Sequence, residues 1–307
     1  MGKLYDMLVI GGGPGGYTAA LYGARAGLSV LVIEKLSAGG QMATTEQVEN
    51  YPGFDEPIDG FELGERMQRG AERFGAESLL ATVTEVSLEG PVKRVTTDEG
   101  VVEGRTVVLA TGASPRPLGV PEEQALVGRG MAYCAACDGM FYKGRTVCVV
   151  GGGNTAVGDA LLLAKLCEKV YLIHRRDTLR ASKVYEKSLQ AAENLEIVWD
   201  SRVTRLLHAE RVTGVQVENV KTGAVRSIAC DGVFAAVGRV PDTALLAGQT
   251  ALDEQGYLIA DETTRTSVAG VFAVGDVRTK AVRQIVTAAS DGAVAAHFAE
   301  EYLNSIT

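Results

Sequence analysis

Two cysteines stand three residues apart in Cys134-Ala-Ala-Cys137, and Asp138 and Gly139 follow at once. This spacing suits half of a zinc site or a redox dithiol. Zinc would need two more ligands, and His174, His208 and His297 offer no ligand spacing, so the expectation is a dithiol and no metal. Thiol exchange moves protons as well as electrons, and Asp138 is placed to supply or accept one. An aspartate before glycine is also a common turn residue. The other cysteines read differently. Cys148 falls in an apolar strand and Cys167 on an apolar helical stripe, both as packing residues, while Cys230 has no nearby partner.

Two glycine turns could hold nucleotides. Gly11, Gly13 and Gly16 follow the apolar run Met7 to Ile10 and, through Pro14, open an alanine-rich helical stretch. In that setting glycines let backbone amides approach a pyrophosphate at a helix N-terminus. Glu34, at the end of the next strand and beside Lys35, is placed to accept from ribose hydroxyls. The second turn has Gly151, Gly153, Asn154, Thr155 and Ala156, but His174, Arg175 and Arg176 take the ribose-reading position, with Arg180 about a turn further on. A carboxylate repels a 2'-phosphate whereas arginines bind one, which predicts NADPH here. The plainer reading of the same cluster is a solvated basic helix start.

The elements that carry these residues occur twice. Leu8 to Gly16 lies over Cys148 to Ala156 at an offset of 140, and the match runs on until Val30 to Glu34 lies over Val170 to His174. A closing motif, Val107 to Gly112, lies over Val233 to Gly238 at an offset of 126. Each copy reads strand, glycine turn, helix, strand. The fold class is therefore α/β, with two Rossmann-like domains, each a central parallel sheet with a small antiparallel sheet. Alternating segments such as Ala81 to Val86 and Gly214 to Glu218 supply the latter. The fall in offset gives the first copy 14 more residues, and Gly39 to Phe54 is their natural place. The tail from about Ala244 is too short for a third domain, so it is expected to return to the first. Residues 1–115 and 243–307 then form an FAD-binding domain, and 116–242 form an inserted NADPH-binding domain that carries the dithiol. FAD belongs to the first copy because that copy has the extra loop and the return.

Composition bounds the setting. With 38 acidic against 30 basic residues and a net charge of -8, the chain lacks the basic face that nucleic acid requires. No run of about 18 apolar residues could span a bilayer, and the N-terminus enters a strand without a signal-peptide pattern. A cytoplasmic protein without membrane or nucleic-acid partners is expected. Glycine is in excess, 37 residues where about 21 would match average usage. With only 8 prolines and no three-residue period, collagen is excluded.

Taken together, these motifs resemble the low-molecular-weight bacterial thioredoxin reductases, over essentially the whole chain. The carriers are Gly11 to Gly16, Gly39-Gly40-Gln41-Met42, Glu49-Asn50-Tyr51-Pro52-Gly53, Cys134 to Gly139, Gly151 to Ala156, His174 to Arg176 with Arg180, Gly275-Asp276-Val277 and Arg283-Gln284. The resemblance implies a homodimeric flavoprotein that reduces thioredoxin, or a thioredoxin-like protein, with NADPH. It implies that Gly39, Gly40, Gln41 and Asn50 lie near the flavin, and that Gly112, Gly275, Asp276, Arg283 and Gln284 belong to the FAD site. Cys137 would face the flavin and Cys134 would attack thioredoxin. It implies, too, that the NADPH domain rotates, with Leu118 to Gly130 and Arg239 to Thr243 as the crossings. The glutathione-reductase type does not fit, since no cysteine precedes residue 134. Departures from the pattern are Ala136 for Thr, Glu122 for Gly, Asp242 for Asn and Gly158 for Glu, and none removes a reacting atom. Gly158 costs its helix about 1 kcal/mol relative to Ala. The rival readings are a ferredoxin-dependent relative, which His174-Arg175-Arg176 speak against, a flavin dithiol oxidase, and a redox-sensing binding module.

Overall fold

Strand β1 (Leu4–Ile10) alternates Leu8 and Ile10 on one face with Met7 and Val9 on the other, and both sets are buried. That pattern belongs to a parallel sheet covered on both sides. In this computed structural model, which describes residues 3–45 and 47–306, β1 runs through the glycine turn into α1 (Pro14–Arg25) and back through β2 (Val30–Glu34). A helical turn at Gly40–Thr44 and helix α2 (Gly60–Glu72) follow, and Asp59 caps α2 by accepting from Glu62 N–H at 2.9 Å. Then come β3 (Glu77–Leu80), β4 (Val83–Ser87), β5 (Lys93–Thr97), the long β6 (Gly100–Leu109) and β7 (Ala113–Pro115).

The middle of the chain repeats the opening. Short β8 (Met131–Ala132) precedes the single-turn helix α3 (Ala135–Asp138). Then β9 (Thr146–Gly151), α4 (Asn154–Ala164) and β10 (Lys169–Ile173) correspond to β1, α1 and β2. Helix α5 (Glu186–Ala191), β11 (Leu195–Val198), and the antiparallel trio β12 (Ser201–His208), β13 (Val212–Asn219) and β14 (Val225–Ala229) lead to β15 (Gly232–Ala236) and β16 (Arg239–Pro241). The chain closes with β17 (Val271–Ala273) and α6 (Ile285–Ile306).

Two units result. The first takes the chain up to Ser114 and from Val240 onward, and the second takes Pro115–Arg239. In the first, strand order is β3-β2-β1-β6-β5-β4 with β17 on β6, so the returning chain adds a strand and α6. In the second, the order β11-β10-β9-β15-β8 is parallel throughout, and β12-β13-β14 forms a separate sheet. The paths β3-β2-β1-β6 and β11-β10-β9-β15 match strand for strand. In the first unit, however, the antiparallel strands are not separate, because β6 is long enough to pair with β1 and β5 at once. The unit boundaries fall at 114 and 239 rather than 115 and 242. The reason is local: Asp242 N–H donates to Gly112 O at 3.0 Å and Thr111 Oγ1 donates to Asp242 O at 2.6 Å, which ties Asp242 to the first closing motif.

Helices α1 and α6 approach closely because their contact is made of small residues. A Cβ on Gly292 would lie 2.3 Å from Gly15 O, and one on Gly15 would lie 3.1 Å from Ala288 O. The alanines Ala19, Ala20, Ala295, Ala296 and Ala299 are buried around that contact.

Candidate active site and nucleotide turns

The turn after β1 is built for backbone exposure. Gly11 sits at φ 106°, a Cβ on Gly16 would lie 1.9 Å from Gly11 O, and nothing stands within 4 Å of the Cβ position at Gly13. No side chain caps α1 at Gly13, so its first N–H groups are left for a ligand. A Cβ on Gly40 would lie 3.4 Å from Gly13 Cα, and Gly39 N–H donates to Gly12 O at 2.8 Å, so the loop expected to be extra chain lies against the turn. Glu34 Oε2 accepts from Gly12 N–H at 2.6 Å, while Oε1 accepts from the N–H groups of Lys35 and Leu36. These groups suit a dinucleotide: space at the glycines, donors at the helix start and a carboxylate at the strand end.

The return brings further residues to the same unit. Asn50 Nδ2 donates to Gln284 Oε1 at 3.2 Å, joining two residues 234 positions apart that the sequence assigned to one site. Arg283 donates to the carbonyls of Asp276, Arg278 and Lys280 and stacks 4.2 Å from the Tyr257 ring, so its guanidinium holds the turn that carries Gly275 and Asp276. Sequence reasoning missed a buried cluster beneath that turn. Asp291 accepts from Gly275 N–H at 2.9 Å, from Arg278 at 2.9 Å and from Lys280 at 2.7 Å. Its only signal was the one acid in the first half of an alanine-rich helix, with Arg278 and Lys280 just after Gly275-Asp276-Val277.

The second turn has the same frame and different contents. Gly153 precedes α4 with no side-chain cap and open space at its Cβ position. Gly152 O accepts from Arg180 N–H at 2.7 Å, and Asn154 Oδ1 accepts from Ser182 N–H at 2.8 Å, so the segment bearing Arg180 is pinned to the turn. His174 is buried. Its ring fills the space over Gly152, where a Cβ would lie 2.2 Å from it, and Nε2 donates to Thr178 O at 3.0 Å. Burial, first of all, and then the surrounding arginines hold its pKa below the ordinary value. Arg175, Arg176, Arg180 and Thr155 are exposed. Within the basic cluster, then, His174 supports the loop and the arginines face outward.

Cys134 and Cys137 are joined in a disulfide, with Cα atoms 5.3 Å apart. Cys134 stands at the N-cap of α3, and Cys137 N–H donates to its sulfur at 3.2 Å. Both cysteines are half-buried, and Asp138 beside them is pushed by burial up to about 6. Met140 and Phe141, 51% and 44% exposed, follow directly and set an apolar surface next to the disulfide. Cys148 and Cys167 are buried as expected. Cys230 differs from expectation, because it is buried in the same core cluster as Cys148. The neighbouring Cys230 and burial push the Cys148 thiol up. No described helix is long and apolar enough to cross a membrane.

Comparison with known proteins agrees with this geometry. The family profile described as pyridine nucleotide-disulphide oxidoreductase matches residues 5–292. The chain is similar to a thioredoxin reductase of Treponema pallidum, 42% identical with 98% of each chain covered. It is also similar to a bifunctional thioredoxin reductase/thioredoxin of Mycobacterium leprae, 44% identical, covering 98% of this chain and 66% of that one. Among solved structures, the thioredoxin reductase of Streptococcus pyogenes superposes with a TM-score of 0.90 at 44% identity, covering 98% of this chain and 99% of that one. The chain thus belongs to the pyridine nucleotide-disulphide oxidoreductases and, within them, to the low-molecular-weight thioredoxin reductases.

Proposed function

We propose that this chain is an NADPH-dependent thioredoxin-disulfide reductase, with FAD held by the first unit and NADPH by the second. The observation that carries the reading is the Cys134–Cys137 disulfide beside a buried acid, in the unit whose glycine turn is flanked by exposed arginines. FAD would rest on Gly11, Gly13, Pro14 and Gly16, with Glu34 and Lys35 at the ribose. Gly39, Gly40, Gln41, Asn50, Gly112, Gly275, Asp276, Arg283 and Gln284 would surround the rest of it. NADPH would rest on Gly151, Gly153, Thr155 and Ala156. Arg175, Arg176 and Arg180 would hold its 2'-phosphate, with buried His174 and the Asn154 side chain supporting the loop. When bound, FAD supplies two-electron transfer between the nicotinamide and the disulfide.

The chain's own residues account for the exchange with a protein disulfide. In the dithiol form, Cys134 gives up its thiol proton as its sulfur bonds to one sulfur of the partner's disulfide, and that disulfide opens. The partner's departing sulfur takes a proton, for which Asp138 is suited because its carboxyl titrates near neutrality. Cys137 then gives up its proton and attacks Cys134 sulfur, closing the original disulfide; the partner's second sulfur leaves and takes that proton, so the partner departs as a dithiol. The N–H of Cys137 stabilises charge on Cys134 sulfur during this exchange. The partner is a thioredoxin or a thioredoxin-like protein, received on exposed Met140 and Phe141, and the enzyme works as a homodimer in the cytoplasm.

Anaerobic mixing with NADPH, NADH or reduced ferredoxin, followed by a panel of oxidised thioredoxins, tests donor and acceptor together. Reduction of a thioredoxin with NADPH, and far slower with the other donors, is expected. Reduction driven by ferredoxin alone, or peroxide formed from small dithiols without NADPH, would replace this reading.

A further inference from the structure

The residue before the attacking cysteine is tied to the chain in a way the reaction has not yet used. Tyr133 Oη donates to Glu123 Oε1 at 2.8 Å, and Gln124 Nε2 donates to the same phenol oxygen at 3.3 Å. Glu123 is 4% exposed, and its carboxylate also accepts from Leu118 N–H at 2.8 Å and Gly119 N–H at 2.9 Å. One buried carboxylate thus joins the irregular segment at Leu118 and Gly119 to the residue that immediately precedes Cys134. The segment around it is itself constrained. Glu122 holds a left-handed backbone at φ 62°, costly for a residue with a side chain, and its carboxylate pairs with His208 Nε2 at 2.5 Å.

The anchor acts on the last residue before Cys134, just beyond a short buried strand. β8 is only two residues long, and Met131 and Ala132 pair with Val233 and Phe234. While the disulfide is closed, Cys134 is held by its bond to Cys137. Once reduced, it loses that bond, and the Tyr133 hydroxyl still ties the preceding residue to Glu123. Burial and the Glu123 carboxylate push the Tyr133 phenol well up, so it remains a hydrogen-bond donor throughout the working range of pH.

We propose that Glu123 is a positioning residue for thiol exchange: acting through Tyr133, it fixes the backbone that presents Cys134 sulfur to a docked protein disulfide after the Cys134–Cys137 bond opens. The inference rests on the reading of Cys134 as the attacking sulfur. It predicts a defect confined to the half-reaction in which the dithiol meets its protein partner. Loss of one hydrogen bond to a charged group corresponds to about tenfold.

Stopped-flow measurement of the two half-reactions in Tyr133→Phe and Glu123→Gln holoenzyme tests it, alongside thermal unfolding midpoints. Tyr133→Phe should slow oxidation of the pre-reduced enzyme by thioredoxin about tenfold at saturating thioredoxin, while reduction of the enzyme by NADPH keeps its wild-type rate. Glu123→Gln keeps one acceptor oxygen and should fall between the two. Wild-type rates with thioredoxin in both variants would overturn the proposal. So would equal slowing of both half-reactions with a lowered midpoint, which is the mark of a general structural role. The reading beneath it fails separately, if a thioredoxin lacking its resolving cysteine is trapped on Cys137 of the wild-type enzyme rather than on Cys134.

Discussion

The two glycine turns share a frame and differ in what that frame supports. In each, the middle glycine carbonyl is met by a backbone N–H from the segment after the second strand: Gly39 onto Gly12 in one, Arg180 onto Gly152 in the other. In each, the middle glycine packs on the ribose-reading residue, Glu34 or His174. In the first turn that residue is a carboxylate with accepting oxygens. In the second it is a buried imidazole, and the charge moves outward to Arg175, Arg176 and Arg180. The two turns thus keep a nearly constant backbone and differ in its contents, and in the proposed function it is those contents that choose the nucleotide.

The sharpest way to break the likeness is at the third glycine. Gly16 corresponds to Ala156, yet a Cβ on Gly16 would lie 1.9 Å from Gly11 O. Gly16→Ala should abolish flavin retention, read as flavin absorbance per purified chain. Ala156→Gly should leave NADPH binding intact and lower stability by about 1 kcal/mol. Retained flavin in Gly16→Ala would mean that the first turn has more slack than its backbone suggests.

The dithiol is a second difference, present beside one turn only. Asp138→Asn should lower turnover with thioredoxin by about 10²-fold and remove the limb near pH 6 from the pH profile. Its stability effect has a definite sign. Burial raises the carboxyl to about 6 in the folded protein, so the folded state binds more protons than the unfolded one between about pH 4 and 6. Stability contributed by this group therefore falls as pH rises through that window, and Asp138→Asn should flatten the fall in urea midpoints.

Removing the outward charge should make the turns more alike. Arg175→Ala with Arg180→Ala should raise KM for NADPH by about 10–100-fold while changing KM for NADH little, since only the 2'-phosphate loses charge-assisted bonds. Equal losses for both donors would show that the arginines support the loop instead of reading the phosphate. The smallest effect lies on the helices. Gly158 in α4 stands where α1 has Thr18, and nothing lies within 4 Å of its Cβ position. Gly158→Ala should stabilise the protein by about 0.5–1 kcal/mol in urea unfolding, with NADPH affinity unchanged.

The repeat made much of this legible in advance. Leu8 over Cys148 and Val30 over Val170 mark strands that occupy equivalent places in the two sheets, because buried parallel strands must be apolar on both faces. The pairing of Asn50 with Gln284 was legible only as two motifs sharing a resemblance; the hydrogen bond between them required the chain to return. The misplaced details have a common cause. Cys230 lacked a neighbour along the chain yet is buried in one core cluster with Cys148, and Asp242 looked like inserted-domain chain yet bonded back to Gly112.

By itself the sequence determined the elements, their duplication, the dithiol and the two nucleotide motifs, because these depend on local spacing and on which residues can pack or turn. Only the tertiary structure decided how buried polar groups are satisfied. It put His174 under Gly152, Asp291 between Arg278 and Lys280, and Glu123 against Tyr133 beside Cys134. Desolvation makes each such group costly until a partner is found, and those partners come from whatever the fold brings near, which no local pattern of residue types specifies.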